Sequence, residues 1–198
     1  MITDLDSKDA DGNTTAPVRG VGHTTGNYTL RNWWPAISDL DALLDKTEDE
    51  KEKPYDAERF KLRIAYQCPV EVEFKGATTE ALAYTLEDAI VVSNLDLFVE
   101  LPGSGLIAKF RGAIADSVDF AALSAAMKQA LKTGNKAEFA LDLLEIENPS
   151  DLKPPHYIRE GLLWLSSQLE RKKAELGVGQ ILAIDPATDA TLAPETAE

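Results

Sequence analysis

The sequence predicts an α+β fold: a small antiparallel sheet packed by about four helices, with a disordered acidic arm at each end. Three observations lead there. Short runs alternate apolar and polar residues, as half-buried strands do, and longer runs repeat apolar residues every three or four positions, as amphipathic helices do. The two kinds do not alternate regularly, which favours α+β over a doubly wound sheet. The third is length: 198 residues suffice for one buried core.

Residues 1–27 are rich in Asp, Thr, Gly and Asn and read as a disordered arm. Residues 28–55 read as an aromatic anchor, a short helix and a charged linker. In SDLDALL, Ser38 is positioned to cap a helix whose apolar edge is Leu40, Leu43 and Leu44. TEDEKEKP is too charged to bury and reads as a solvated linker ended by Pro54.

A single core domain is expected over 56–177. Phe60, Leu62, Ile64 and Tyr66 alternate with polar or small residues, as in a strand with one buried face. After Pro69, Val70, Val72 and Phe74 alternate with Glu71 and Glu73, and this second strand ends at Lys75-Gly76. Thr78 or Thr79 is placed to cap a helix over 79–92 carrying Leu82, Leu86 and Ile90 on one side. Leu95, Leu97, Val99 and Leu101 then alternate with Asp96, Phe98 and Glu100, and PGSG offers a turn. The expectation is a hairpin of 95–101 with 106–114, placing Lys109 and Arg111 near Asp96 or Glu100.

Three helices should follow. One covers 119–133, buries Phe120, Leu123, Met127 and Ala130/Leu131, and closes at Gly134. The next starts at Asn135, with Glu138 completing its cap, and buries Phe139, Leu143 and Ile146. The last starts at Pro155 and runs to Leu176 before Gly177, with Ile158, Leu162, Leu165, Leu169 and Leu176 as its apolar line. Residues 178–198 read as an acidic flexible tail.

Charge narrows the function. The chain holds 34 acids against 20 bases, a formal net charge of -14. Such a field repels nucleic-acid phosphate and anionic membrane surfaces, so neither is an expected partner. The N-terminal MITDLDSKDADG lacks the basic-then-apolar pattern of a signal peptide, and with one cysteine, Cys68, a reducing, cytoplasmic location is expected.

Motifs for chemistry are sparse. His23, His156 and Cys68 lack zinc-ligand spacing, DLDSKDADGNTT lacks the EF-hand register, and no phosphate loop follows a strand. No cofactor and no metal are expected. A dispersed acid–base site assembled on folding would draw on Glu71, Glu73, Cys68, His156 and Tyr157. The segment NYTLRNWWPAI carries the sharper signal. Aromatic and Arg residues dominate binding hot spots, so Tyr28, Leu30, Arg31, Trp33, Trp34 and Pro35 are the candidate partner-binding residues. The alternative for the same segment is that it folds back over the chain's own core.

The sequence therefore favours a non-enzymatic acidic interaction protein: an adaptor, an assembly factor or a structural subunit of a larger complex. Its partner would be a protein with a basic or apolar groove, or a second copy. An acidic mimic of nucleic acid is the alternative, and a small enzyme with a dispersed site the next.

Overall fold

Eight α-helices and three two-stranded antiparallel sheets, an α+β set, make up the described residues. The structure is a computed structural model and describes residues 1–55 and 60–175. It divides into two units, Met1–Gly161 and Leu162–Glu198.

The first unit opens with β1 (Ser7–Lys8), β2 (Thr24–Thr25), α1 (Tyr28–Asn32) and α2 (Leu40–Leu44). Here the expected disordered arm over 1–27 is corrected. Leu5, Ser7 and Thr25 are buried, and Thr3 N–H and Ala65 N–H exchange bonds with Ala65 and Met1 carbonyls at 3.0 and 2.9 Å. The polar residues that suggested solvation are spent on structure instead. Asn27 Oδ1 accepts from Thr29 and Leu30 N–H at the start of α1, while its Nδ2 donates to Thr3 Oγ1 at 2.7 Å and the Asp4 carbonyl at 2.8 Å. One side chain both caps a helix and ties it to the N-terminal segment. Leu5, Leu30, Leu40, Leu43, Leu44, Ile64 and Tyr66 form a small core beneath these elements. The cap of α2 is Asp39, accepting from Ala42 N–H at 2.8 Å, one residue later than the expected Ser38.

The charged linker is likewise a strand. β3 (Glu52–Tyr55) pairs with β4 (Phe60–Arg63) after a short 3-10 turn at Asp49–Lys51. Its charges neutralise one another: Glu48 meets Lys51 and Arg63, and Glu52 meets Arg63 at 3.2 Å. Lys51 is buried, with its ammonium 5.1 Å from the Tyr66 ring centre. A two-stranded ribbon has only edges, where Pro54 is tolerated.

β5 (Val70–Phe74) falls where the alternation places it, with Val72 and Phe74 buried and Glu71 and Glu73 exposed. It pairs with β6 (Ala77–Ala81), so the expected helix over 79–92 begins only at Leu86, as α3 (Leu86–Val92). Thr78 and Thr79 are β-branched and join the strand. The α3 cap is a Thr85/Asp88 capping box, and its buried face is Ala89, Val91 and Val92, while Leu86 is exposed.

The expected hairpin of 95–101 with 106–114 is replaced by two helices, α4 (Leu95–Glu100) and α5 (Gly105–Asp116). The buried set in α5 is Leu106, Ile107, Phe110 and Ile114, a helical stripe whose local alternation with Lys109 and Arg111 is incidental. Instead of crossing to Asp96 or Glu100, Lys109 Nζ donates to Thr133 Oγ1 at 2.9 Å and Arg111 to the Leu101 carbonyl. α6 (Phe120–Thr133) and α7 (Lys136–Leu144) fall where expected, capped by Asp119 and Asn135, but of the residues expected to be buried by α7 only Phe139 is, Leu143 being half-buried and Ile146 lying past its end. A second core gathers Phe74, Phe98, Leu106, Phe110, Leu123 and Phe139, among others. Gly134 is required there by close approach, since a Cβ would lie 2.2 Å from Leu106 Cδ2.

α8 (His156–Glu175) begins after Pro155 and continues into the second unit. The expected apolar line is not core there: Leu162, Leu165 and Leu169 are exposed. The tail expected over 178–198 lies outside the described residues. Among the described residues no helix is long and apolar enough to cross a membrane.

Candidate functional site

The aromatic segment sits on the N-terminal layer, and the structure separates its six candidate residues by direction. α1 is only five residues long, yet Leu30 is 0% exposed and embedded among Leu5, Leu40 and Leu43. It is a footing, not a partner contact, which corrects its place in the candidate set. Trp34 also turns inward and packs on the same leucine core beside Ile37. Pro35 is half-buried. Tyr28, Arg31 and Trp33 point outward. Tyr28 is 78% exposed and Trp33 46%, and Arg31, one helical turn after Tyr28, shares its face.

A residue that sequence reasoning placed in a solvated linker supports this edge. Lys53 on β3 holds its ammonium 4.6 Å from the Trp34 ring centre and 5.6 Å from that of Trp33. The cation is attracted to both ring faces. Lys53 thus steadies Trp33 from beneath while leaving nearly half of it in water. Its charge suggested full solvation, but Lys53 is half-buried, and pairing of residues 52–55 with 60–63 decides which rings it meets.

The dispersed acid–base candidates come together in part. Cys68 Sγ lies 3.8 Å from His156 Nδ1, across 88 positions of sequence. Beside them Tyr157 O–H donates to Asp4 Oδ1 at 3.4 Å, and Gln67 Nε2 donates to the same oxygen at 2.6 Å. Burial holds the Asp4 carboxyl above its ordinary range and pushes the Cys68 thiol up, Glu160 adding to the rise at Cys68 while Lys51 opposes it. Burial raises the Tyr157 phenol too, helped by the Asp4 charge.

A thiol nucleophile needs the opposite shift, toward thiolate at neutral pH. The cavity against Cys68, His156 and Tyr157 is about 20 Å³, room for roughly one water. The pair is a thiol–imidazole contact at the start of α8, and its histidine also borders a larger groove.

Glu71 and Glu73 lie on the exposed face of β5. They line, with Val70, Val72, Leu95, Asp96, Lys153, His156 and Arg159, an open groove of about 600 Å³. Ligand clefts commonly hold about 300–1,000 Å³, so this groove has the size for a ligand, though it spreads along a strand. Among the described residues no three His, Cys, Asp or Glu side chains converge as metal ligands would. The loop nearest to a calcium-binding pattern uses its own acid: Asp9 Oδ1 accepts from Asp11 and Asn13 N–H, and the Asn13 bond leads in holding its pKa down.

Comparison with protein-family models, with curated proteins and with solved structures gives no match to this chain.

Proposed function

We propose that this is a non-enzymatic acidic interaction protein, an adaptor, assembly factor or structural subunit, that docks a protein partner through Tyr28, Arg31 and Trp33. One observation carries the reading: three side chains of hot-spot type face outward from a short helix whose opposite side is seated in a leucine core. A seated helix has little backbone freedom left to lose on docking, which lowers the cost of association. Trp33 is also held by Lys53, so one large ring is already close to a single orientation. The formal net charge of -14 favours encounter with a basic partner surface over one rich in phosphate.

The test is affinity capture with the full chain as bait, comparing wild type with the Tyr28→Ala/Trp33→Ala double variant. Tyr28 is largely in water and nearly half of Trp33 is, so thermal stability should change far less than on truncating a core residue. At least one stoichiometric protein is expected to fall by about tenfold or more on the double variant, the loss of about 1.4 kcal/mol of binding. Identical recovery on both baits would falsify the reading.

A further inference from the structure

We propose that the free edge of β5 is a second docking site, which takes an extended, alternately basic and apolar peptide as an added strand. The inference rests on the reading of this chain as an interaction protein, and it names a partner chemistry.

The argument begins with the hairpin. Phe74 and Ala77 close it around Lys75 and Gly76, whose φ values are 49° and 80°. Two central residues with positive φ make the turn that favours a hydrogen-bonded closing pair. Pairs alternate from there, so Phe74, Val72 and Val70 bond to β6 while Glu73 and Glu71 turn their N–H and C=O groups away from it. Among the described residues β5 has no partner on that side. Among the described residues, neither Glu71 nor Glu73 makes another backbone hydrogen bond. Two donors and two acceptors therefore stand in a row along the groove of about 600 Å³. An unpaired strand edge is a template for another strand.

Side chains select the occupant. Glu71 stands directly opposite Glu80 on the hairpin's exposed face, with Glu73 two residues along. Among the described residues none of the three has an ion-pair partner. Like charges across a ladder repel, and a Lys or Arg on an added strand relieves them. A second copy pairing by the same edge would set Glu71 and Glu73 against their own equivalents, so the carboxylates disfavour self-association there. On the other face Val92 and Leu95 line the groove beside Val70 and Val72, which suits apolar residues at the alternate positions.

The experiment uses the full chain and a short fluorescein-labelled peptide alternating Lys and Val, read by fluorescence anisotropy. An N-methylated peptide of the same sequence and charge, lacking alternate N–H groups, is the control. The native peptide should bind at least about tenfold more tightly than the methylated form and slow hydrogen exchange at the Glu71 and Glu73 amides. The Glu71→Lys/Glu73→Lys variant should lose the binding, and Tyr28→Ala/Trp33→Ala should keep it. Equal affinity for both peptides, protection confined elsewhere, or no binding overturns the site. Because the aromatic variant reports separately, failure of the strand edge and failure of the Trp33 surface are distinguishable.

Discussion

Replacing Phe110 with Ala is expected to lower the free energy of unfolding by about 3–5 kcal/mol, measured by urea denaturation followed by circular dichroism. Phe110 is 0% exposed at the middle of α5, and its ring meets Phe139 of α7 edge to face with centres 5.6 Å apart. Phe139 in turn stacks on Phe98 of α4 at 6.1 Å. One truncation therefore removes a large apolar surface and opens a void shared by three helices. Domains are stable by only about 5–15 kcal/mol, so this single change takes a large fraction of the total.

Leu30→Ala should cost about 2–5 kcal/mol on the same measurement, although it lies in a segment that composition assigns near a disordered arm. The leucine is fully enclosed by Leu5, Leu40, Leu43 and Ile64 with their neighbours. Its removal should also weaken partner capture, because the helix that displays Tyr28 and Trp33 loses its seat. A disordered segment predicts no change in stability. Tyr28→Ala, two residues away and in water, is the paired control and should leave the unfolding midpoint near that of wild type.

Much of the helical half of the fold was legible. Over 119–144 the apolar spacing and the cap at Asn135 act locally, so sequence and structure agree there, whereas the Asp119 cap was not read and Gly134 answers to its contact with Leu106. Val70–Phe74 was legible for the same reason, because strict alternation over five residues fixes the buried face. The failures have two physical causes. Residues 95–101 and 106–111 alternate by coincidence, and a helix stripe sampled over a few residues resembles a strand face. The order in residues 1–27 comes from polar side chains bonding across the fold, as Asn27 does to Thr3 and Asp4, which composition does not reveal.

The candidate surface was legible in kind but not in direction. NYTLRNWW advertised aromatic and Arg content, yet only tertiary packing separates the inward Leu30 and Trp34 from the outward Tyr28, Arg31 and Trp33. The Cys68–His156 contact spans 88 positions, and no spacing rule reaches that far. Burial, which pushes the thiol up, is equally invisible in sequence.

Hydroxyl-radical footprinting of the chain, alone and in its captured complex, bears most directly on whether this protein acts by offering a fixed aromatic edge. Mass spectrometry should find Tyr28 and Trp33 readily oxidised in the isolated chain and shielded in the complex, with Tyr66 and Phe110 unreactive in both. Unchanged oxidation of Tyr28 and Trp33 after assembly would contradict it.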